Sequence, residues 1–259
     1  MKNTPPGKTS TPASAETGLR LNKAIAHSGL ASRRAADGLI QEGRVTVNGA
    51  VVMEPGTRIN PKTDEVVVDG RKLNFMAGNG HSYLMVNKPI EVVSTAKDPQ
   101  GRKTVLDLLP PRFTAKRLYP VGRLDFFSEG LLLLTDDGDM TLRLTHPRYH
   151  SPKVYHVTVR EKPSEGMLEI MRQGMTLAEG EKLAPVTVRL LEEKKNVLEM
   201  ILNQGINRQI RRMCRDLGLT ILRLVRISSG PLHLGNLKPG EVRELTPKEV
   251  MVLKKTAGM

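Results

Sequence analysis

Two polar segments of the chain carry the residue types most suited to chemistry. Residues 122–130 (GRLDFFSEG) include Asp125 and run directly into the apolar stretch at 131–134. Loops at the end of a buried strand hold functional side chains rigidly. Residues 207–226 contain six arginines and a single acid, Asp216, a density that favours binding to a polyanion. Local pattern leaves two alternatives open, because an aspartate in a loop often only caps a turn and an arginine-rich helix often only faces solvent.

The composition of the whole chain points in the same direction. Its 259 residues carry 40 Lys and Arg against 27 Asp and Glu, a net charge of +13, which favours nucleic acid as a partner. We expect a protein that does not enter a membrane, because no run of about 18 uncharged apolar residues occurs. One cysteine excludes an intramolecular disulfide and favours a reducing compartment such as the cytoplasm. The chain has no Trp, four Phe and four Tyr, so any base stacking must depend on one or two rings.

The N-terminal region predicts a small unit of two helices and a hairpin. A short helix is expected from Leu19 to Gly29, followed by a second helix that Ser32 caps and that ends at Gly43. Asn48-Gly49, between short apolar runs, predicts a tight β-hairpin.

Basic side chains cluster at the start of the second predicted helix. Arg33 and Arg34 follow its cap, where the helix dipole and the free amides favour an anion, and Lys23 and Arg44 could extend the patch. The residues therefore predict a phosphate-binding surface, with ordinary solvated charges as the alternative.

The rest of the chain predicts a second, larger domain. The glycine-containing stretch at 70–80 is typical of a hinge. Beyond it the apolar patterns predict strands at 83–86, 131–134, 154–159, 186–190 and 197–202, and helices at 208–217 and 247–254. An α+β fold is expected, because strands predominate and do not alternate regularly with helices.

Several common catalytic arrangements are disfavoured. Pro147 follows His146 and breaks the helical face that His146 and His150 would need to bind a metal. Asp136, Asp137 and Asp139 are interpreted as a turn with Asp139 capping a helix, and Cys214 as a packed residue. No glycine-rich motif for a nucleotide cofactor occurs.

The order of several motifs resembles the RsuA family of ribosomal RNA pseudouridine synthases. The matching strings are NKP (87–89), GRLDFFSEGLLLLTDDG (122–138), KVYHV (153–157), QGINRQIRRM (204–213) and GPLHLGNLKPGEVREL (230–245). Residues 19–52 resemble the small RNA-binding module of the ribosomal protein S-four type that precedes the catalytic domain in this family. The resemblance implies a two-helix-plus-hairpin RNA-binding domain and then a mixed, mainly antiparallel β-sheet catalytic domain with flanking helices. Together with the composition, this gives the expected division: a disordered basic tail (1–18), the RNA-binding domain (19–69), a linker (70–81), the catalytic domain (82–254) and a C-terminal tail (255–259).

The resemblance also implies roles for individual residues. Asp125 matches the catalytic aspartate, Tyr155 the ring that packs on the target base, and Arg211 the arginine that pairs with the aspartate. Ile210 matches an aliphatic residue of the pocket, and Arg123 the arginine that fills the space left by the flipped nucleotide. The remaining arginines of the same segment, Arg208, Arg212 and Arg215, are expected to bind RNA.

The implied activity is isomerisation of a uridine in ribosomal RNA to pseudouridine, without metal or cofactor, by a cytoplasmic monomer acting on RNA or an assembly intermediate. Gln204 and the run that follows it slightly favour large-subunit RNA. Two other functions stay open: a noncatalytic ribosome-assembly factor that only binds structured RNA, and a methyltransferase with the same small module. The methyltransferase is disfavoured, because no glycine-rich loop follows a strand to hold a methyl donor.

Overall fold

The structure, a computed structural model, describes residues 18–75, 80–149, 151–191 and 196–259. The predicted basic tail lies, apart from Gly18, outside these residues. Contacts divide the chain into two units, Met1–Gly80 and His81–Met259. Across the described ranges, no helix is both long and apolar enough to cross a membrane.

The small unit contains two helices and short strands. In chain order its elements are β1 (Leu19–Arg20), α1 (Leu21–His27), α2 (Arg33–Gln41), β2 (Val45–Val47), β3 (Ala50–Val51), β4 (Arg58–Ile59), β5 (Val66–Val68) and β6 (Arg71–Lys72). One sheet has the order β3-β2-β5-β6, and β1 pairs with β4. The helices contribute Leu21, Ile25 and Ile40 to a fully buried apolar core, whose removal from water stabilises the unit.

The capping and turn residues of the small unit predicted its second helix and its hairpin correctly. The Ser32 hydroxyl accepts a hydrogen bond from the amide of Ala35 at 3.0 Å, which confirms the predicted cap. Asn48 and Gly49 both have positive φ and join β2 to β3, which confirms the hairpin. The first helix begins at Leu21 rather than Leu19, because Leu19 and Arg20 pair with β4.

The expected linker at 70–81 begins too early. Arg71–Lys72 pair with β5, and Leu73 is buried in the core of the small unit. Backbone that pairs with a sheet and a side chain that joins a core are parts of a domain, so the described small unit extends at least to Leu73.

The large unit is a mixed sheet with flanking helices. Its strands are β7 (Tyr83–Lys88), β8 (Tyr119–Pro120), β9 (Glu129–Thr135), β10 (Lys153–Val159), β11 (Thr187–Leu190), β12 (Val197–Leu202), β13 (Ile221–Ser229), β14 (Leu232–His233) and β15 (Val242–Glu244). Its helices are α3 (Pro111–Thr114), α4 (Gly138–Thr145), α5 (Glu165–Gln173), α6 (Gln209–Asp216) and α7 (Pro247–Thr256), with 3₁₀ turns at Val105–Leu108 and Pro147–Tyr149.

The main sheet has the order β11-β12-β10-β13-β9-β7-β15, with β14 beside β13 and β8 beside β9. Within the described residues β9 and β13 pair in parallel, and the other neighbours pair antiparallel. The α+β class and the mainly antiparallel sheet are therefore confirmed. Leu131 and Leu133 pack in one apolar cluster and Leu132 and Leu134 in another, as expected of a strand covered on both faces.

Two expectations for the large unit are corrected. Asp137, not Asp139, caps α4, because its carboxylate accepts the amides of Asp139 and Met140 at 3.1 and 2.9 Å. The expected C-terminal tail at 255–259 starts too early, since α7 continues to Thr256. The following Ala257 is buried and accepts a hydrogen bond from Arg143 at 3.0 Å.

Candidate active site

One row of residues crosses the centre of the large sheet. Tyr155 of β10 lies opposite Arg226 of β13, Arg226 opposite Gly130 of β9, and Gly130 opposite Lys88 of β7. The row thus links the ring expected to contact the base with the strand that follows Asp125.

Gly130 permits the close approach of β9 and β13. Its φ is +108°, and a β-carbon there would lie 2.2 Å from the carbonyl oxygen of Arg226. No side chain fits that distance, so glycine is required for the parallel pairing. Because β9 begins at Glu129, this contact also fixes the end of the loop that carries Asp125.

The Asp125 loop is held by hydrogen bonds along its length. The Ser94 hydroxyl donates to the Leu124 carbonyl at 2.8 Å and accepts from the Leu124 amide at 3.1 Å. The Phe126 carbonyl accepts the Glu91 amide at 2.8 Å. A loop with this many backbone partners keeps its side chains in place.

Arg211 of α6 reaches the same loop. Its Nη2 donates to the Phe127 carbonyl at 2.7 Å and to the Ser128 hydroxyl at 3.0 Å. Its Nε lies 3.6 Å from Asp125 Oδ2, an ion pair that is longer than a hydrogen bond. Burial lowers the pKa of Arg211, and the charge of Asp125 opposes that shift. Arg211 therefore fixes the loop directly and faces the carboxylate at the same time.

A cleft of about 640 Å³ adjoins the Asp125 loop. Its walls include Arg123, Asp125, Tyr155, Ile210 and Arg211, so the structure brings the predicted catalytic and pocket residues together. Asp125 is the single acid among the described residues that line the cleft. The cations of its walls are Arg123, Lys153, Lys182, Arg208, Arg211 and Arg226. A third of the Asp125 side chain is exposed, which leaves it accessible to a substrate.

Comparison with known proteins identifies the family. A model described as RNA pseudouridylate synthase matches residues 82–216, and an S4 domain model matches residues 19–66. The chain is 40% identical to an uncharacterised RNA pseudouridine synthase of Aquifex aeolicus, over 93% of this chain and 96% of that protein. It is also 40% identical to ribosomal large subunit pseudouridine synthase B of Bacillus subtilis, over 92% and 96%. A crystal structure of a pseudouridylate synthase matches with a TM-score of 0.65 and 30% identity, over 91% and 99%.

The chain belongs to the RNA pseudouridylate synthase family. It is therefore an isomerase that converts uridine to pseudouridine, and the noncatalytic alternative is disfavoured.

The arginines of this pseudouridine synthase differ in how far they are available to RNA. Arg208, which has positive φ just before α6, is exposed at the cleft. Arg212 instead pairs with Glu179 and Glu181, and Arg215 with Glu179 and Asp216. Glu179 and Glu181, which lie about thirty residues earlier in the chain, thus neutralise part of this arginine cluster. A count of charges within residues 207–226 alone does not include them.

In the small unit the predicted cations also differ. Arg33 and Arg34 are exposed at the start of α2. Arg44 makes a two-bond ion pair with Asp69, at 2.8 and 2.7 Å, and contacts Glu42. Lys23 lies in α1. Arg33 and Arg34 have no ion pair with an acid of the described residues, whereas Arg44 already has two carboxylate partners.

The structure places three further basic residues at or near the site: Lys153 and Arg226 line the cleft, and Lys88 lies in the adjoining row of the sheet. Lys88 is fully buried and donates to the carbonyls of Pro89 and Ser128 at 2.7 and 2.8 Å. Burial lowers its pKa to about 8, against the opposing charges of Glu129 and Asp125. The sequence contains one sign of this burial, because Lys88 ends an apolar strand and a buried charge needs polar partners.

Two other interpretations concern residues near the site. Cys214 is fully buried, and burial raises the pKa of its thiol, so it packs as predicted. His146 lines the cleft, whereas His150 lies outside the described residues.

Proposed function

We propose that this enzyme isomerises a uridine of large-subunit ribosomal RNA, with Asp125 acting on the nucleoside. The observation that carries the proposal is one partly exposed carboxylate, faced by Arg211, in a cleft whose other charged walls are basic. The B. subtilis relative is named for the ribosomal large subunit. The S4 domain match and the net charge of +13 support RNA as the partner.

The chemistry requires the base to leave the stack. The reaction breaks the bond from the ribose C1′ to N1 of uracil and forms one from C1′ to C5, while the C5 hydrogen leaves and N1 gains a proton. These atoms are inaccessible in a helix, so the nucleotide must be extruded, which costs a few kcal/mol. The cleft falls within the usual size of small-molecule sites, roughly 300–1,000 Å³.

The lining residues suggest how the extruded nucleoside is held. Tyr155 would pack on the uracil ring and Ile210 would close the pocket beside it, while the exposed Arg123 would occupy the space left in the RNA. Asp125, ionised at neutral pH, would act as nucleophile or proton acceptor. The reaction is redox-neutral and conserves the atoms of the nucleoside, so its chemistry requires no cofactor.

We also propose that the enzyme works as a monomer in the cytoplasm. The five predicted catalytic and pocket residues already meet in one copy of the chain, so the proposed chemistry needs no residue from a second copy. The single cysteine and the proposed ribosomal RNA substrate support the compartment.

The proposal is tested with large-subunit ribosomal RNA tritiated at C5 of uracil. Wild-type enzyme should release tritium, and Asp125→Asn should abolish the release while still binding the RNA. Asp136→Asn is the matched control, because Asp136 interacts with His81 rather than lining the cleft. Equal release by Asp125→Asn and the wild type would remove Asp125 from this role. Comparing pseudouridine positions in cells with and without the protein would identify the target uridine.

A further inference from the structure

A second group of polar side chains lies on the cleft side of the sheet, beside Tyr155. Lys153 and Tyr155 are two apart on β10 and therefore point to the same face. Opposite them on β13 lie Ser229 and Arg226, across a register shift between Val154 and Tyr155. Lys153, Tyr155, Arg226 and Ser229 all line the cleft.

Of the two cations of this group, Arg226 is buried and Lys153 is half-buried, and they lie close enough for the charge of one to act on the other. Arg226 is 4% exposed, and its Nε donates to the Leu131 carbonyl at 2.7 Å. Lys153 donates to the Ser151 carbonyl at 2.7 Å. Burial, together with the charge of Arg226, lowers the pKa of Lys153 to about 8.

No acid in the described part of the chain forms an ion pair with either cation. The carboxylate of Glu129, which begins the neighbouring strand, is held by Arg223 through two bonds of 3.0 and 2.8 Å. Asp125 faces Arg211. Buried charges in proteins are usually paired, so two adjacent cations with only carbonyl partners favour an anion from the substrate.

We infer that Lys153 and Arg226 bind one phosphodiester group of the RNA strand next to the extruded uridine. The phosphodiester is the charged group of an RNA strand. A guanidinium recognises phosphate oxygens through its planar fork, and an ammonium adds a point charge. Nε of Arg226 is bonded to the backbone and the residue lines the cleft, so the terminal nitrogens are the ones that would bind the phosphate.

This subsite deepens the proposed function, on which it rests. A phosphate held opposite Lys153 and Arg226 would fix the backbone beside Tyr155, the residue proposed to contact the base. Binding energy from the phosphate would then offset the cost of extruding the nucleotide. Lys153 and Arg226 would bind the part of the substrate that does not react.

The first test measures RNA binding without turnover. In the Asp125→Asn background, affinity for a large-subunit ribosomal RNA fragment is measured across a range of salt concentrations. Loss of one phosphate contact lowers the slope of log K against log salt by about 0.7–0.9. Lys153→Gln should weaken binding and lower the slope by up to that amount, because Arg226 still faces the phosphate, and Lys153→Arg should do neither. The control is Lys162→Gln, because Lys162 is exposed beyond the other end of β10. A wild-type slope for Lys153→Gln would overturn the inference.

The second test locates the phosphate. Single methylphosphonate linkages, which carry no charge, replace the phosphodiesters around the mapped uridine one at a time. One linkage should weaken binding to the Asp125→Asn parent, and Lys153→Gln should add no further loss with that RNA. If Lys153→Gln weakens binding by the same factor with every modified RNA, no linkage depends on Lys153 and the inference is overturned.

Parallel tritium release by the otherwise wild-type enzyme separates the two proposals. Release with an unchanged Lys153→Gln slope refutes the subsite alone. No release together with a reduced slope refutes the proposed reaction and retains the phosphate site.

Discussion

Replacing Arg211 with lysine separates two roles that this residue could have. In one role Arg211 only supplies a positive charge beside Asp125, which a lysine ammonium would also supply. In the other it fixes the loop through Nη2 while Nε faces the carboxylate 3.6 Å away. Lysine has one terminal nitrogen and cannot occupy both places.

The geometry gives the expected size of the effect. Nη2 makes bonds of 2.7 Å to the Phe127 carbonyl and 3.0 Å to the Ser128 hydroxyl. A hydrogen bond from a charged group is worth about 1.5–3 kcal/mol. If a lysine that stays near Asp125 loses one such bond to the loop, and the loss falls on the transition state, kcat should decrease about 10- to 150-fold, at 1.36 kcal/mol per tenfold change.

The assay is tritium release at saturating RNA by Arg211→Lys, with thermal unfolding measured on the same samples. Arg212→Lys, on the same helix, is the control, because Arg212 pairs with Glu179 and Glu181 and not with the loop. The control should retain nearly wild-type kcat. A folded Arg211→Lys enzyme with wild-type kcat would refute the loop-fixing role and would show that Arg211 acts only through its positive charge.

Gly130→Ala should destabilise the protein by about 1–3 kcal/mol more than Gly180→Ala in chemical denaturation, because Gly180 also has positive φ but has open space around a β-carbon; equal losses would contradict the steric argument. Lys88 has a folded-state pKa of about 8, below its ordinary value, so the unfolded state binds more protons between about pH 8 and 10.5 and the free energy of unfolding rises across that range. Lys88→Met should make this rise shallower, as measured by denaturation at several pH values, and an unchanged rise would show that Lys88 does not titrate there. Arg33→Glu combined with Arg34→Glu should weaken RNA binding and flatten its salt dependence more than it changes kcat, whereas an unchanged salt slope would support the solvated-surface interpretation.

Local patterns predicted those parts of the fold whose partners lie a few residues away. Ser32 caps α2 through an amide three residues on, and the Asn48-Gly49 turn joins adjacent strands. The same kind of signal failed at Asp139, because Asp137 and Asp139 are equally good capping residues and the backbone conformation selected Asp137. Predicted element boundaries were wrong where a strand pairs with a segment distant in the chain. Leu19–Arg20, for example, pair with a strand almost forty residues later.

The candidate site divides in the same way. The sequence alone shows an aspartate at position 125, the motif around it and the density of arginines around Arg211. The fold decided which arginines already have a carboxylate partner, because Glu179 and Glu181 reach Arg212 from outside its helix.

The sequence by itself thus predicted a candidate acid and its candidate basic partner, and it was enough to identify the family. Only the tertiary structure placed Lys153 and Arg226 in the same cleft as Asp125 and Lys88 in the adjoining row of the sheet, where Gly130 permits the parallel pairing of β9 with β13. The physical reason is that helix caps and tight turns depend on neighbours within about four residues. Strand pairing across some ninety residues, and the burial of charge that it causes, depends on the whole sheet and leaves little trace in any local stretch of sequence.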